Sequence, residues 1–65
     1  MNGKRSREIA AAMELVVEAE NMELKGDEMY GYVKDRLQER FPEAGSLTVH
    51  VISSEVIKMR VKGMW

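Results

Sequence analysis

The chain of 65 residues has no cysteine, one histidine, one proline and one tryptophan. Without cysteine there is no disulfide framework and no thiolate metal site. A single histidine supplies no His cluster for zinc. Neither sign of charge dominates: 10 Lys+Arg against 11 Asp+Glu give a formal net charge of −1, which argues against a strongly basic nucleic-acid binder and against an acidic tail. No apolar run approaches the ~18–20 residues of a membrane span. The basic start, Met1-Asn2-Gly3-Lys4-Arg5-Ser6-Arg7, leads into a segment interrupted by Glu14, Glu18 and Glu20, which is no secretory signal. The five glycines are scattered next to element ends and turns, so there is no phosphate-cradling loop. The carboxylates lack EF-hand spacing. The expectation is a cytoplasmic, non-enzymatic chain with no cofactor, no metal and no membrane.

What is present is one small domain over 1–65, with residues 1–5 expected to be flexible. Hydrophobic residues make up 45% and charged residues 32% of the chain, which places it with folded rather than disordered sequences. A chain of this length buries only roughly 60% of its unfolded surface, so a monomer is marginal.

Residues 6 to 24 read as a helix with Ser6 as cap and Gly26 at the left-handed position after its end. Glu14, Glu18, Asn21, Lys25 and Arg7 share one narrow polar strip. Apolar residues from Ile9 to Leu24 fill most of the remaining circumference, wider than the usual stripe of ~100°, which predicts burial on two faces. Asp27 suits the N-cap of a second helix over 28–41, in which Met29, Val33, Leu37 and Phe41 recur every four residues. Gly31 would allow close approach to the first helix, and Pro42 stops the second.

Leu47 to Ile52 alternates at period two, and Ile57, Met59 and Val61 alternate with Lys58, Arg60 and Lys62. A hairpin with both apolar sets on one face pairs Val51 with Ile57, Val49 with Met59 and Leu47 with Val61 around Ser53-Ser54-Glu55. The rival reading is a short helix capped by Ser54 and ended by Gly63. Val56, Ile57 and Val61 are poor helix formers, so the strand is preferred. The fold expected is α+β, two N-terminal helices followed by a C-terminal β-hairpin. Because a lone two-stranded ribbon is marginal, a homodimer is expected, through a shared sheet or through helix packing.

Two sets of residues stand out as candidates for binding. Lys58, Arg60 and Lys62 would project from one face of the second strand, with Thr48 and His50 across from them. Lys4, Arg5 and Arg7 add further cations, and a basic ribbon can meet nucleic-acid phosphates. The six methionines and the tryptophan form the second set, since such residues favour adaptable interfaces. Leu15, Met22, Met64 and Trp65 are the interface candidates.

The stretch from Val33 to Val51, with Arg36-Leu37-Gln38-Glu39-Arg40-Phe41-Pro42 and then Val49 and Val51, resembles the helix–Phe-Pro–strand segment of DinI-like damage-response modulators over about a third of the chain. The resemblance implies a strand after Phe41-Pro42. It stops there. A helix stands where that family begins with a strand, and a basic segment replaces its acidic C-terminal binding helix, so the family's function is not carried over. The residues themselves point to a small protein-interaction module, intracellular or phage-encoded, that binds a larger protein. A nucleic-acid-binding regulator is the alternative.

Overall fold

A computed structural model describes residues 3–65, with side chains from Arg5 onward. Three helices follow one another: α1 over Gly3–Asn21, α2 over Gly26–Arg40 and α3 over Ser46–Val61. Each packs against the other two. Residues 1 and 2 lie outside the described residues. Gly3, Lys4 and Arg5, within the segment expected to be flexible, fall in the first turn of α1.

Both sequence-expected helices form. α1 presents Ala11, Ala12, Leu15, Val16 and Ala19 as a fully enclosed surface between α2 and α3. The breadth of its apolar arc therefore serves two neighbours. Three of those five residues are alanines, which let helix axes approach at little side-chain entropy cost. Val33 and Leu37 are the buried residues of α2, with Met29 and Phe41 packed at the edge of the core.

Helix ends differ from the expected signals. α1 stops at a Schellman turn in which Glu23, not Gly26, takes the left-handed conformation at φ 63°. The Leu24 N–H donates to Ala19 O at 3.0 Å and the Glu23 N–H to Glu20 O at 2.9 Å. Gly26 is also left-handed, at φ 57°, but as the first residue of α2, which follows an extended Lys25 at the N-cap. Asp27 therefore sits in the first turn rather than at the cap, where it still faces the positive end of the helix dipole. Pro42 ends α2 as expected. Gln38 then ties the following loop, its Nε2 donating to Ala44 O at 2.9 Å and to Phe41 O at 3.3 Å.

The C-terminal hairpin is not there. Among the described residues there is no strand, and 46–61 is one continuous helix, so the domain is all-α rather than α+β. The strand implied by the Phe-Pro resemblance falls inside α3 as well. The buried residues of α3 are Val49, Ile52, Ser53 and Val56, a helical spacing of three, one and three. Two polar residues obscure that stripe in the sequence. Ser53 is wholly enclosed with no hydrogen-bond partner for its hydroxyl, and Arg60 continues the stripe one turn on. Three residues of the apparent alternation are exposed instead: Leu47 at 73%, Val51 at 48% and Val61 at 82%. β-Branched residues lose at most ~0.7 kcal/mol each in a helix. Burying a Val or Ile side chain is worth roughly 1.5–3 kcal/mol. A helix gathers Val49, Ile52 and Val56 on one side against two partners and satisfies its main chain internally, whereas a lone ribbon leaves two open edges. The rejected helical reading had its end right. Gly63 is left-handed at φ 77°, with the Met64 N–H on Met59 O and the Gly63 N–H on Arg60 O, both at 3.0 Å. Its start lies at Ser46 after a Gly45 cap, not at Ser54.

The helical stripe predicts unequal costs for residues that a hairpin would treat alike. Val49→Ala should cost about 2 kcal/mol in urea unfolding, while Leu47→Ala and Val51→Ala stay within about 0.5 kcal/mol. Equal losses at all three would restore the strand. Gly31, expected to mark a close helix approach, has nothing within 4 Å of where a Cβ would stand. Gly31→Ala should therefore raise stability by about 1 kcal/mol, seen as a rise of roughly 4–8 °C in Tm; a fall would show that α1 does press on this position.

Candidate interaction site

Reading 46–61 as a helix rearranges every candidate residue. At about 100° per residue, Arg60 lies nearly opposite Lys58 and Lys62. The expected row of three cations on one strand face is therefore absent. Lys58 lies outward and pairs with Glu55 at 3.7 Å, and Lys62 is the exposed C-cap. His50 is on the outer side of α3 against α2, where its Nδ1 shares a hydrogen bond with the Tyr30 hydroxyl. The two rings meet edge to face, 5.7 Å apart. Arg5 is 3.8 Å from Glu8, and Arg7 is exposed nearby. The side chain of Lys4 lies outside the described residues.

Arg60 turns inward and ties three parts of the chain together. Its Nε and one terminal nitrogen each donate to a different oxygen of Glu20 at 2.9 Å, a bidentate pair that joins the ends of α3 and α1. Its other terminal nitrogen donates to the main-chain oxygen of Trp65 at 2.9 Å, and its guanidinium lies 4.5 Å over the Trp65 ring. The indole N–H in turn donates to Val56 O at 3.1 Å. Hydrogen bonding from Arg60 holds the Glu20 carboxyl below the usual carboxylate range, against the opposing effect of burial, and the same bond raises the Arg60 guanidinium.

The interface candidates divide accordingly. Leu15 is core, 1% exposed, and has no surface to offer a partner. Trp65 is half-buried and folded back on the core. Met22 and Met64 are exposed beyond the ends of α1 and α3. The polar strip of α1 is not simply solvated: the Tyr32 hydroxyl donates to Glu18 at 3.0 Å, and Glu14 lies 3.5 Å from Arg40, so both reach α2.

Three of the grooves among the described residues bear on the choice of site. The first lies between α1 and α3, with a floor of Ile9, Val51, Ile52, Val56 and Met59 and a volume of about 240 Å³; Arg5 and Glu55 stand at its edges. Its floor is hydrocarbon and thioether throughout. A second, of about 350 Å³, runs past Leu24, Met29, Ile57 and Val61, but the Arg60–Glu20 pair forms part of it. The third cleft, about 220 Å³, sets Arg5 and Arg7 beside Glu8 and Glu43, so its cations face carboxylates of equal number. The first groove combines an apolar floor with edge charges of both signs and, unlike the second, includes no part of the Arg60–Glu20 tie. Sequence reasoning missed it because its residues come from two helices, one of which was read as strand. Exposed Ile9 on the first helix was the available signal.

Among the described residues, no three His, Asp or Glu side chains converge as a metal site would require, and no helix is long and apolar enough to cross a membrane. No family model, no curated protein and no solved structure matches the chain.

The Arg60–Glu20 pair has a signed pH dependence. A carboxyl whose folded pKa is lowered stabilises the fold above its unfolded pKa, and that contribution disappears as pH falls through the folded value. Glu20→Gln should therefore be less stable than the wild type at pH 7, with the difference in Tm closing as pH falls from about 5 to about 3. A difference that persists unchanged at about pH 3 would mean that the ionic form of Glu20 contributes nothing.

Proposed function

We propose that this chain is a small, non-enzymatic, cytoplasmic interaction module that binds a larger protein through the groove between α1 and α3. The supporting observation is the uninterrupted apolar floor of that groove, open to solvent and edged by Arg5 and Glu55. A volume of about 240 Å³ is below the roughly 300–1,000 Å³ of pockets that enclose a cofactor or drug-sized ligand. It suits one or two apolar side chains of a partner. α1 and α3 run in the same direction, since Arg5 and Thr48 share a cleft near their starts and Glu20 meets Arg60 near their ends. A groove between parallel helices fits an amphipathic helix that places apolar residues every three or four positions. Edge charges of opposite sign would set that helix's direction.

A protein partner is preferred to nucleic acid for a geometric reason. The nucleic-acid reading placed Lys58, Arg60 and Lys62 side by side on a ribbon, and Arg60 instead donates to Glu20 and Trp65.

Photo-crosslinking tests this reading. A benzophenone amino acid at Val51 should give a discrete protein adduct in lysate of the native host. The same probe at Asp35, on the outer side of α2, should give none. Ile9→Arg in the groove should abolish the Val51 adduct while thermal unfolding stays cooperative. Equal labelling at both positions, or an adduct insensitive to Ile9→Arg, would contradict it.

A further inference from the structure

The groove leaves a second apolar feature unexplained. Ile9, Ala10, Met13 and Val17 form a strip along the outer flank of α1, running from the groove edge at Ile9 past Met13, which also touches the core. Ile9, Ala10 and Val17 are exposed, and Met13 is half-buried. The strip itself carries no charge; Glu14 borders it on the α2 side, 3.5 Å from Arg40. Charge gathers at the two ends of the helix and beside the strip. Arg5 and Arg7 lie near its start, and Glu18 and Glu20 near its finish. On the helical wheel, Arg5 and Glu20 fall on the side facing α3, while Arg7 and Glu18 fall on the side facing α2. Contacts agree with that placement: Glu20 bonds Arg60 of α3 and Glu18 bonds Tyr32 of α2.

We infer that two copies of this chain pair antiparallel through the Ile9–Val17 strip of α1, about a two-fold axis at Met13. The pattern of charge selects both the occupant and the direction. An isologous contact must be complementary to itself, and an apolar centre whose nearest charge, Glu14, is already paired with Arg40 at 3.5 Å limits like-charge contact there. Ile9 and Val17 stand four residues either side of Met13, so each meets the other across the axis. In the same register Arg5 approaches Glu20 of the second copy on the α3 side, and Arg7 approaches Glu18 of the second copy on the α2 side. Parallel pairing would place arginines on arginines and glutamates on glutamates. Opposed helix dipoles favour the antiparallel arrangement as well. Ile9 belongs to both the strip and the groove floor, whereas Met13 and Val17 line only the strip, so Met13→Glu tests this pairing apart from the protein partner proposed above.

The chain has no native cysteine, which makes disulfide trapping clean. Ile9→Cys and Val17→Cys alter exposed residues, and cooperative melting checks that each variant folds. Sedimentation equilibrium of the wild type at about 100 μM should show a dimer. Under mild oxidant, neither cysteine variant alone should crosslink, and a mixture of the two should yield a disulfide dimer. Met13→Glu, which sets two carboxylates together on the axis, should abolish both the sedimenting dimer and the trapped species. A wild-type monomer at that concentration overturns the inference and leaves the strip to a different protein. Crosslinking of each variant with itself, with no mixed disulfide between the two, overturns the antiparallel register.

Discussion

The structure depends on α3 covering α1 and α2 at once. α1 carries apolar residues over too wide an arc for α2 alone, and α2 supplies only Val33 and Leu37 as fully buried side chains. A third element must close the space between them. Val49, Ile52 and Val56 do so from one side of a helix, with Ser53 enclosed among them. The resulting core is small, and its largest fully buried side chains are two leucines. A fold of this size has little reserve, since whole domains are stable by only ~5–15 kcal/mol. Each close-packed position therefore counts, while Leu47, Val51 and Val61 on the outer turns of the same helix do not contribute to closure.

Arg60 shows how the same constraint reaches the chain's far end. It continues the inward side of α3 beyond Val56, where the core has run out and a charged head can meet water. There it joins the last turn of α1 through Glu20 and holds Trp65 over the end of the bundle. A side chain that looked like part of a basic row is the tie between helices. Lys58 and Lys62 lie on the opposite side of the wheel and stay at the surface, Lys58 paired with Glu55.

The first two helices were legible because their signals agree. Apolar residues recur at helical spacing in both, and Phe41-Pro42 closes the second. The third was not legible, because two periods coexist in its sequence. Short alternating runs on either side of Ser53-Ser54-Glu55 imitate strands. The helical stripe contains a serine and an arginine, and the apolar residues off the stripe are exposed. Propensity favoured the strand locally, and packing against two helices outweighed it. Glu23 was hidden for a related reason: nothing but tertiary context asks a glutamate to take the left-handed turn that Gly26 suits better. The candidate groove was half-legible, through Ile9, and its other wall appeared only once α3 was a helix. The charge pattern of α1 could be read directly, but its meaning required knowing which flank faces α2 and which faces α3.

With α3 helical, the surface divides into an apolar groove, a charge-free strip with charged ends, and a polar remainder. Every functional conclusion depends on that one assignment. Backbone chemical shifts of residues 46–61 test it most directly. A continuous run of helical Cα shifts from Ser46 to Val61 is the predicted result, unbroken through Ser53-Ser54-Glu55. Strand-type Cα shifts over 47–52 and 57–61, with a break between them, would contradict it and dissolve the groove together with the core.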